Sequence, residues 1–257
     1  MDSIGLGTYQ LKGNECYNTI LKAIEHGYRL FDTAILYNNQ KHVGKAIRDS
    51  GIKRSEIFIT SKVHFRYIET ATVLDSIDVI LNELQVDYID LLLLHKPDTF
   101  NNINNWKDMI KIKEMNKTKY IGTSNFLIQD ISQIVHATHV YPYVNQIEFN
   151  PLCQRKELVN FCRKNSILVQ AFRSFGLGKC INNDTICSIS KKLQLTPAQV
   201  ILLWTWRKGV HVIPMCNKEE ELKENIHIRS LNHNIPELDE LDNLNEDYYT
   251  MPRYADV

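Results

Sequence analysis

The sequence has no excess of either charge: thirty Lys and Arg residues are matched by thirty Asp and Glu over 257 residues. Such a balance signals no basic face for a polyanion, so nucleic acid is not an expected partner. Long apolar runs are also missing. Stretches such as Leu91 to Leu94 fall far short of the roughly 20 residues that a membrane-spanning helix needs. The opening "MDSIGLGTYQ" has neither a basic n-region nor an apolar h-region, so no secretory signal is visible. Six cysteines, at 16, 153, 162, 180, 187 and 216, include no CxxC pair, which argues for reduced thiols and a cytoplasmic setting rather than a disulfide framework.

What is present suits a globular protein with a sizeable core, with 44% hydrophobic and 23% charged residues. Eight short apolar runs read as strands: "SIGLGT", "RLFDTA", "IFITSK", "YIDLLLLH", "KYIGTSN", "YVNQIEF", "ILVQAF" and "VHVIPM". Helical patterns lie between them. Val73, Ile77, Ile80, Leu81 and Leu84 fall on one helix face. "ECYNTILKAIEH" is closed by Gly27, "QKHVGKAIRDS" by Gly51, and "LIQDISQIVHA" has the same period. Alternation of this kind predicts βα units and a parallel sheet. A doubly wound dinucleotide fold needs G-x-G-x-x-G after its first strand; here Gly5 and Gly7 are followed by Gln10 where the third glycine belongs. With no linker or repeat, residues 1–257 read as one α/β domain, a (β/α)8 TIM barrel. The chain after about residue 226 reads as a terminal helix and tail.

One residue sits badly in this pattern. Asp32 lies among Leu30, Phe31, Ala34, Ile35 and Leu36, and a carboxylate in apolar surroundings requires a partner. In a barrel, functional groups collect at the C-terminal strand ends. There stand Asp32 leading to Tyr37, Lys62, His95, Ser124 with Asn125, Gln146, and Phe172 leading to Ser174. Taken singly, each of these types is more often a packed or solvated residue. Asp, Tyr, Lys and His converging on one mouth is a much rarer event.

"GYRLFDTAILY", "ITSK", "IDLLLLHKP", "IGTSNF" and "VNQIEFNP" together resemble the aldo-keto reductase family, in its order and spacing from about residue 4 to residue 250. The resemblance implies a (β/α)8 barrel that reduces carbonyls with a nicotinamide coenzyme, NADPH or NADH, and a catalytic tetrad at Asp32, Tyr37, Lys62 and His95. Those residue types suit the chemistry. A tyrosine titrates near ~10, so acting as an acid near neutrality takes about 4 kcal/mol. One ammonium about 4 Å away at an effective dielectric of ~20 supplies about that much. Lys62 is therefore expected to answer Asp32 and to lower the pKa of Tyr37, the proton donor, while a neutral His95 orients the carbonyl. No metal is expected; His136 and His139 have no third ligand apparent nearby.

The resemblance also implies a coenzyme site. Ser124, Asn125 and Gln146 fall at its nicotinamide carboxamide, Phe172 at its stacking position, Ser174 and Leu177 at the pyrophosphate, and Glu224 with Asn225 at the adenine, with Thr8 also among the coenzyme-binding positions. The family's usual I-P-K-S, with an arginine five residues beyond the serine, reads here "IPMCNKEEELKEN". Met215, Cys216 and Glu221 replace groups that clasp a 2′-phosphate. Losing two cations at ~1.5–3 kcal/mol each weakens phosphate binding by at least ~100-fold, so NADPH preference is expected to be reduced or reversed, with Asn217 and Lys218 as partial compensation.

Around the mouth, Tyr9, His64 and Lys96 stand where tryptophans are frequent, which points to small polar or anionic aldehydes and ketones. The loop "KPDTFNNINNWKD" and the tail "MPRYADV" are short for the family, so the site is expected to be open. The family's N-terminal β-hairpin is expected to be lacking, leaving the barrel floor less covered. The reading is a monomeric, cytoplasmic carbonyl reductase; the alternative is a non-catalytic barrel of the same family that binds nucleotide for regulation or serves structurally.

Overall fold

The computed structural model describes residues 3–64, 72–98 and 100–250. Each of the eight apolar runs forms a strand: β1 (Leu6–Gly7), β2 (Leu30–Asp32), β3 (Phe58–Val63), β4 (Ile89–Leu94), β5 (Thr118–Ser124), β6 (Val144–Glu148), β7 (Leu168–Phe172) and β8 (Val210–Val212). All neighbouring pairs are parallel and follow chain order. The sheet curls until its ends meet. Ile4 bridges Val212, and Gly5 N donates to Val212 O at 2.8 Å. The architecture is a (β/α)8 barrel.

The helices are α1 (Gly13–Glu25), α2 (Gln40–Asp49), α3 (Val73–Leu84), α4 (Asn102–Glu114), α5 (Ile128–Thr138), α6 (Lys156–Lys164), α7 (Asp184–Leu193), α8 (Pro197–Arg207) and α9 (Glu219–Ile226). Their ends follow local chemistry. Gly27 and Gly51 take positive φ just past α1 and α2, a conformation that costs glycine little. Thr72 caps α3 by accepting from Asp75 N, and Thr196 with Gln199 forms a capping box before Pro197 opens α8. In α3 the predicted stripe Val73, Ile77, Ile80, Leu81 and Leu84 is buried. Five such side chains contribute roughly 8–15 kcal/mol of transfer free energy, set against the entropy of ordering them.

Strand β4 shows how the core divides. Leu92 and Leu94 join the large cluster between sheet and helices, whereas Leu91 and Leu93 join Val144 in a separate cluster. Successive strand residues face opposite ways, so the first pair points outward to the helices and the second inward to the barrel. Both faces are covered, which is why parallel strands read as nearly continuous apolar runs.

The last segment differs from the expected terminal helix. Beyond α9 the chain makes 3₁₀ turns at His227–Ser230 and Pro236–Asn243. A 3₁₀ repeat aligns residues three apart, and Leu238 and Leu241, so spaced, are both fully buried. Side chains of α8 and of Lys208 just beyond it fasten this course. Trp204 Nε1 donates to Asp242 at 2.8 Å, Lys208 pairs with Asp242 at 2.6 Å, and Arg207 reaches Asp239 at 3.0 Å. The tail segment 251–257, expected to border an open site, lies outside the described residues.

Candidate active site

Strand register gathers the polar residues. Asp32 pairs with Thr60, and Lys62 stands two residues beyond Thr60, on the same face. Val63 pairs with Leu94, so the next residue of β4, His95, arrives at the same level. A 3₁₀ turn at Ile35–Tyr37, ended by Asn38 at φ 52°, brings Tyr37 over the barrel mouth. Asn39 fixes that turn. Its amide donates to Thr8 O at 2.8 Å and Leu11 O at 3.0 Å and accepts from Thr33 Oγ1 at 2.7 Å. Sequence reasoning passed over Asn39, although two adjacent asparagines after a strand are a turn signal.

The centre of the site is a buried ion pair. Lys62 Nζ donates to Asp32 Oδ1, to Thr33 O at 3.0 Å and to Tyr37 Oη at 3.2 Å. Three acceptors satisfy all three ammonium protons. The second Asp32 oxygen accepts from Gln146 Nε2 at 2.7 Å. Burial works against the Lys62 charge, but Asp32 and Tyr37 outweigh it and hold the ammonium above the usual lysine range. Asp32 therefore has the partner that the sequence demanded.

Tyr37 departs from expectation. Burial raises its pKa, Lys62 pulls it back by charge and hydrogen bond, and Asp32 raises it again, leaving the phenol above its ordinary value. The predicted lowering by Lys62 is present but outweighed, because desolvating a phenolate costs more than one paired ammonium returns. The hydroxyl accordingly keeps its proton at neutral pH. His95 moves the other way. Burial, followed by the charges of Lys62, His64 and Lys96, holds its imidazole well below the usual histidine range and so neutral. Its ring lies 5.8 Å from that of Tyr37, edge-on.

These groups border a cavity of about 460 Å³. Asp32, Tyr37 and His95 line it with Ser124, Asn125, Gln146, Phe172, Ser174, Leu177 and Met215, and Tyr9 closes one side, its ring 5.1 Å from Tyr37. Ser124 Oγ is engaged with Gln146 O at 3.0 Å, and the Gln146 amide nitrogen is shared between Asp32 and Gln170. Asn125, at φ 62°, donates to His95 O at 3.1 Å. Three polar atoms of this wall are buried without a partner among the described residues: His95 Nδ1, Asn125 Oδ1 and Ser174 Oγ. Orphaned acceptors and hydroxyls beside a cavity are what a ligand with its own donors and acceptors would satisfy. Leu177 and Met215 are exposed at the mouth.

Other candidates lie off the cavity wall. Thr8 is buried and donates to Asp32 O at 2.9 Å, joining β1 to β2. His64 is buried with its ring 6.0 Å from His95, and Lys96 is half-buried. Past β8, the buried Cys216 thiol is approached by Asn225 Nδ2 at 3.7 Å, and burial pushes its pKa up to about 12. Asn217 donates to Glu15 at 2.8 Å, Glu221 pairs with Lys218 at 3.4 Å, and Glu224 bonds Thr196. Arg173, missed at the sequence level, lines the cavity beside Ser174. A charged residue directly after a buried strand was the signal available for it.

The chain matches known proteins along nearly its whole length. The model of the "Aldo/keto reductase family" matches residues 3–246. Glyoxal reductase of Bacillus subtilis is 35% identical over 96% of this chain and 90% of its own length. Methylglyoxal reductase of Yersinia pestis is 34% identical over 86% of this chain and 85% of its own. Among solved structures, an aldo-keto reductase from a Medee basin deep-sea metagenome library superposes with a TM-score of 0.93 at 30% identity, covering 100% of this chain and 96% of that one. With its barrel and its sequence both matching, this chain belongs to the aldo/keto reductase family.

Proposed function

We propose that this protein reduces small polar aldehydes and ketones to alcohols with a nicotinamide coenzyme. The observation that carries this reading is the Tyr37 hydroxyl, 3.2 Å from a Lys62 ammonium that is itself paired with buried Asp32, at the wall of a cavity. A reduced nicotinamide, when bound, supplies the hydride that the carbonyl carbon receives. The unpartnered Asn125 Oδ1 suits the N–H of a carboxamide, Phe172 offers a ring for stacking, and Ser174 Oγ suits a phosphate oxygen.

Tyr37 Oη gives its proton to the carbonyl oxygen as negative charge develops there, and the neutral His95 imidazole orients that oxygen by hydrogen bond. Lys62 stabilises the phenolate left behind until solvent returns a proton. Asp32 keeps Lys62 charged where burial alone would neutralise it. The relatives named glyoxal and methylglyoxal reductase support small dicarbonyls as the first substrates to try.

Turnover of methylglyoxal by the native protein and by Tyr37→Phe tests the assignment. Loss of the general acid is expected to lower kcat by about 10²–10⁴-fold. Activity surviving in Tyr37→Phe refutes the role of the phenol, and a native protein without turnover on any aldehyde favours a non-catalytic barrel.

A further inference from the structure

We propose that Gln170 is a positioning residue that locks the Gln146 amide, so that the cavity offers its ligand acceptors and selects a group carrying N–H. Gln146 lies on β6 with Gln170 opposite it on β7, in register and so on the same face of the sheet. Asp32 stands on β2, four strands away from β6 in a ring of eight, so the Gln146 side chain crosses the barrel to reach it. Its Nε2 donates to Asp32 Oδ2 at 2.7 Å and to Gln170 Oε1 at 2.7 Å. A primary amide has two N–H donors and one carbonyl oxygen. Both donors are engaged inside the protein, and a planar group pinned at two protons does not turn. Gln146 and Gln170 are 2% and 0% exposed, so water hardly competes for either bond.

Asn125 repeats the pattern. Its Nδ2 donates to His95 O and to Ser124 Oγ, each at 3.1 Å, and its Oδ1 is buried at the cavity wall without a partner among the described residues. Gln146 lines the same cavity. Two amides thus leave two carbonyl oxygens for a ligand, and an –NH2 group answers both. Under the reductase reading, on which this half of the inference rests, that group belongs to the coenzyme carboxamide. Without Gln170 Oε1, Gln146 holds Asp32 with either proton and swings the other toward the cavity, where a buried N–H finds a new acceptor. Gln170 therefore acts through Gln146 and not on the ligand.

Two measurements on native protein, Gln170→Leu and Gln170→Glu decide it, with circular dichroism melts to establish folding. Fluorescence titration compares NADH with its acetylpyridine analogue, which carries a methyl where the carboxamide has –NH2. Native protein is expected to prefer NADH by about tenfold, Gln170→Leu by less than about threefold, and Gln170→Glu, which keeps an oxygen in place, by nearly the native ratio. A native ratio near one overturns the proposal. So does a ratio that Gln170→Leu leaves unchanged because both nucleotides weaken alike, as a role in stability alone would give. Proton exchange at the Gln146 side chain, followed by NMR in the coenzyme-free protein, needs no nucleotide. Both protons are expected to be protected in native protein, and one to exchange fast in Gln170→Leu. Native protein that binds neither nucleotide yet shows this exchange pattern refutes the reductase reading and supports the lock. Fast exchange of either proton in native protein overturns the lock, whether or not a variant folds.

Discussion

Replacing Lys62 with methionine removes one charge while keeping most of the chain's volume, and its effects divide into two parts. Lys62 is 1% exposed and Asp32 2%, so the substitution strands a carboxylate whose remaining side-chain partner is Gln146 at 2.7 Å. Breaking a buried pair by removing one member costs about 3–5 kcal/mol of stability. The second part concerns the reaction. With Nζ 3.2 Å from Tyr37 Oη and an effective dielectric of about 20, a full phenolate charge interacts with the ammonium by about 5 kcal/mol. If about half that charge has developed when the proton is midway, about 2.5 kcal/mol is lost, close to 10²-fold in kcat. Methylglyoxal reduction, followed by coenzyme absorbance, and a thermal melt measure the two parts separately. Asp32→Asn combined with Lys62→Met removes the stranded charge and is expected to recover stability without recovering rate. A folded Lys62→Met enzyme with kcat within about threefold of native would refute the electrostatic account.

Coenzyme choice is open to direct titration: with Lys218 tied to Glu221 and Asn217 to Glu15, NADH is expected to bind at least as tightly as NADPH, and a strong NADPH preference counts against that reading. Because Tyr37 is held above its ordinary pKa, the proton donor stays loaded, so reduction is expected to hold steady between about pH 6 and 9 while alcohol oxidation, which needs the phenolate, climbs with pH. A reduction rate falling tenfold per pH unit above neutrality contradicts this sign. Gly7→Ala would set a Cβ 2.7 Å from Ile213 O, with an expected loss of about 1–3 kcal/mol in urea unfolding; an unchanged midpoint would show that the β1–β8 approach is loose.

Much of the molecule was legible in its residues, for identifiable reasons. Strands buried on both faces leave unbroken apolar runs, so β3, β4 and β6 could be read nearly to their ends. Asp32 betrayed the site because a lone carboxylate among Leu30, Phe31 and Ile35 has one physical explanation, a buried cation. Less local properties escaped. The net direction of the Tyr37 shift depends on how far burial outweighs one ammonium, which no spacing reveals. The course of Pro236–Asn243 was decided by the end of α8, where Trp204, Arg207 and the following Lys208 hold a segment that would otherwise suit an ordinary helix. Cys216, Asn217 and Glu224 were placed by resemblance to a motif; their side chains engage Asn225, Glu15 and Thr196. Arg173 became visible only when a cavity had been drawn around it.

The barrel is not equally strong around its circumference. β1 has two residues and β2 and β8 three each, whereas β3 and β4 have six and β5 seven. The short strands meet at a seam closed by few bonds, among them Gly7 N to Pro214 O at 3.2 Å and Val212 N to Ser3 O at 2.9 Å. Gly7 and Met215, on its two sides, also border the cavity. A molecule lying in that cavity would rivet the weakest joint of the stave ring, and mass action would then make occupancy and resistance to unzipping rise together.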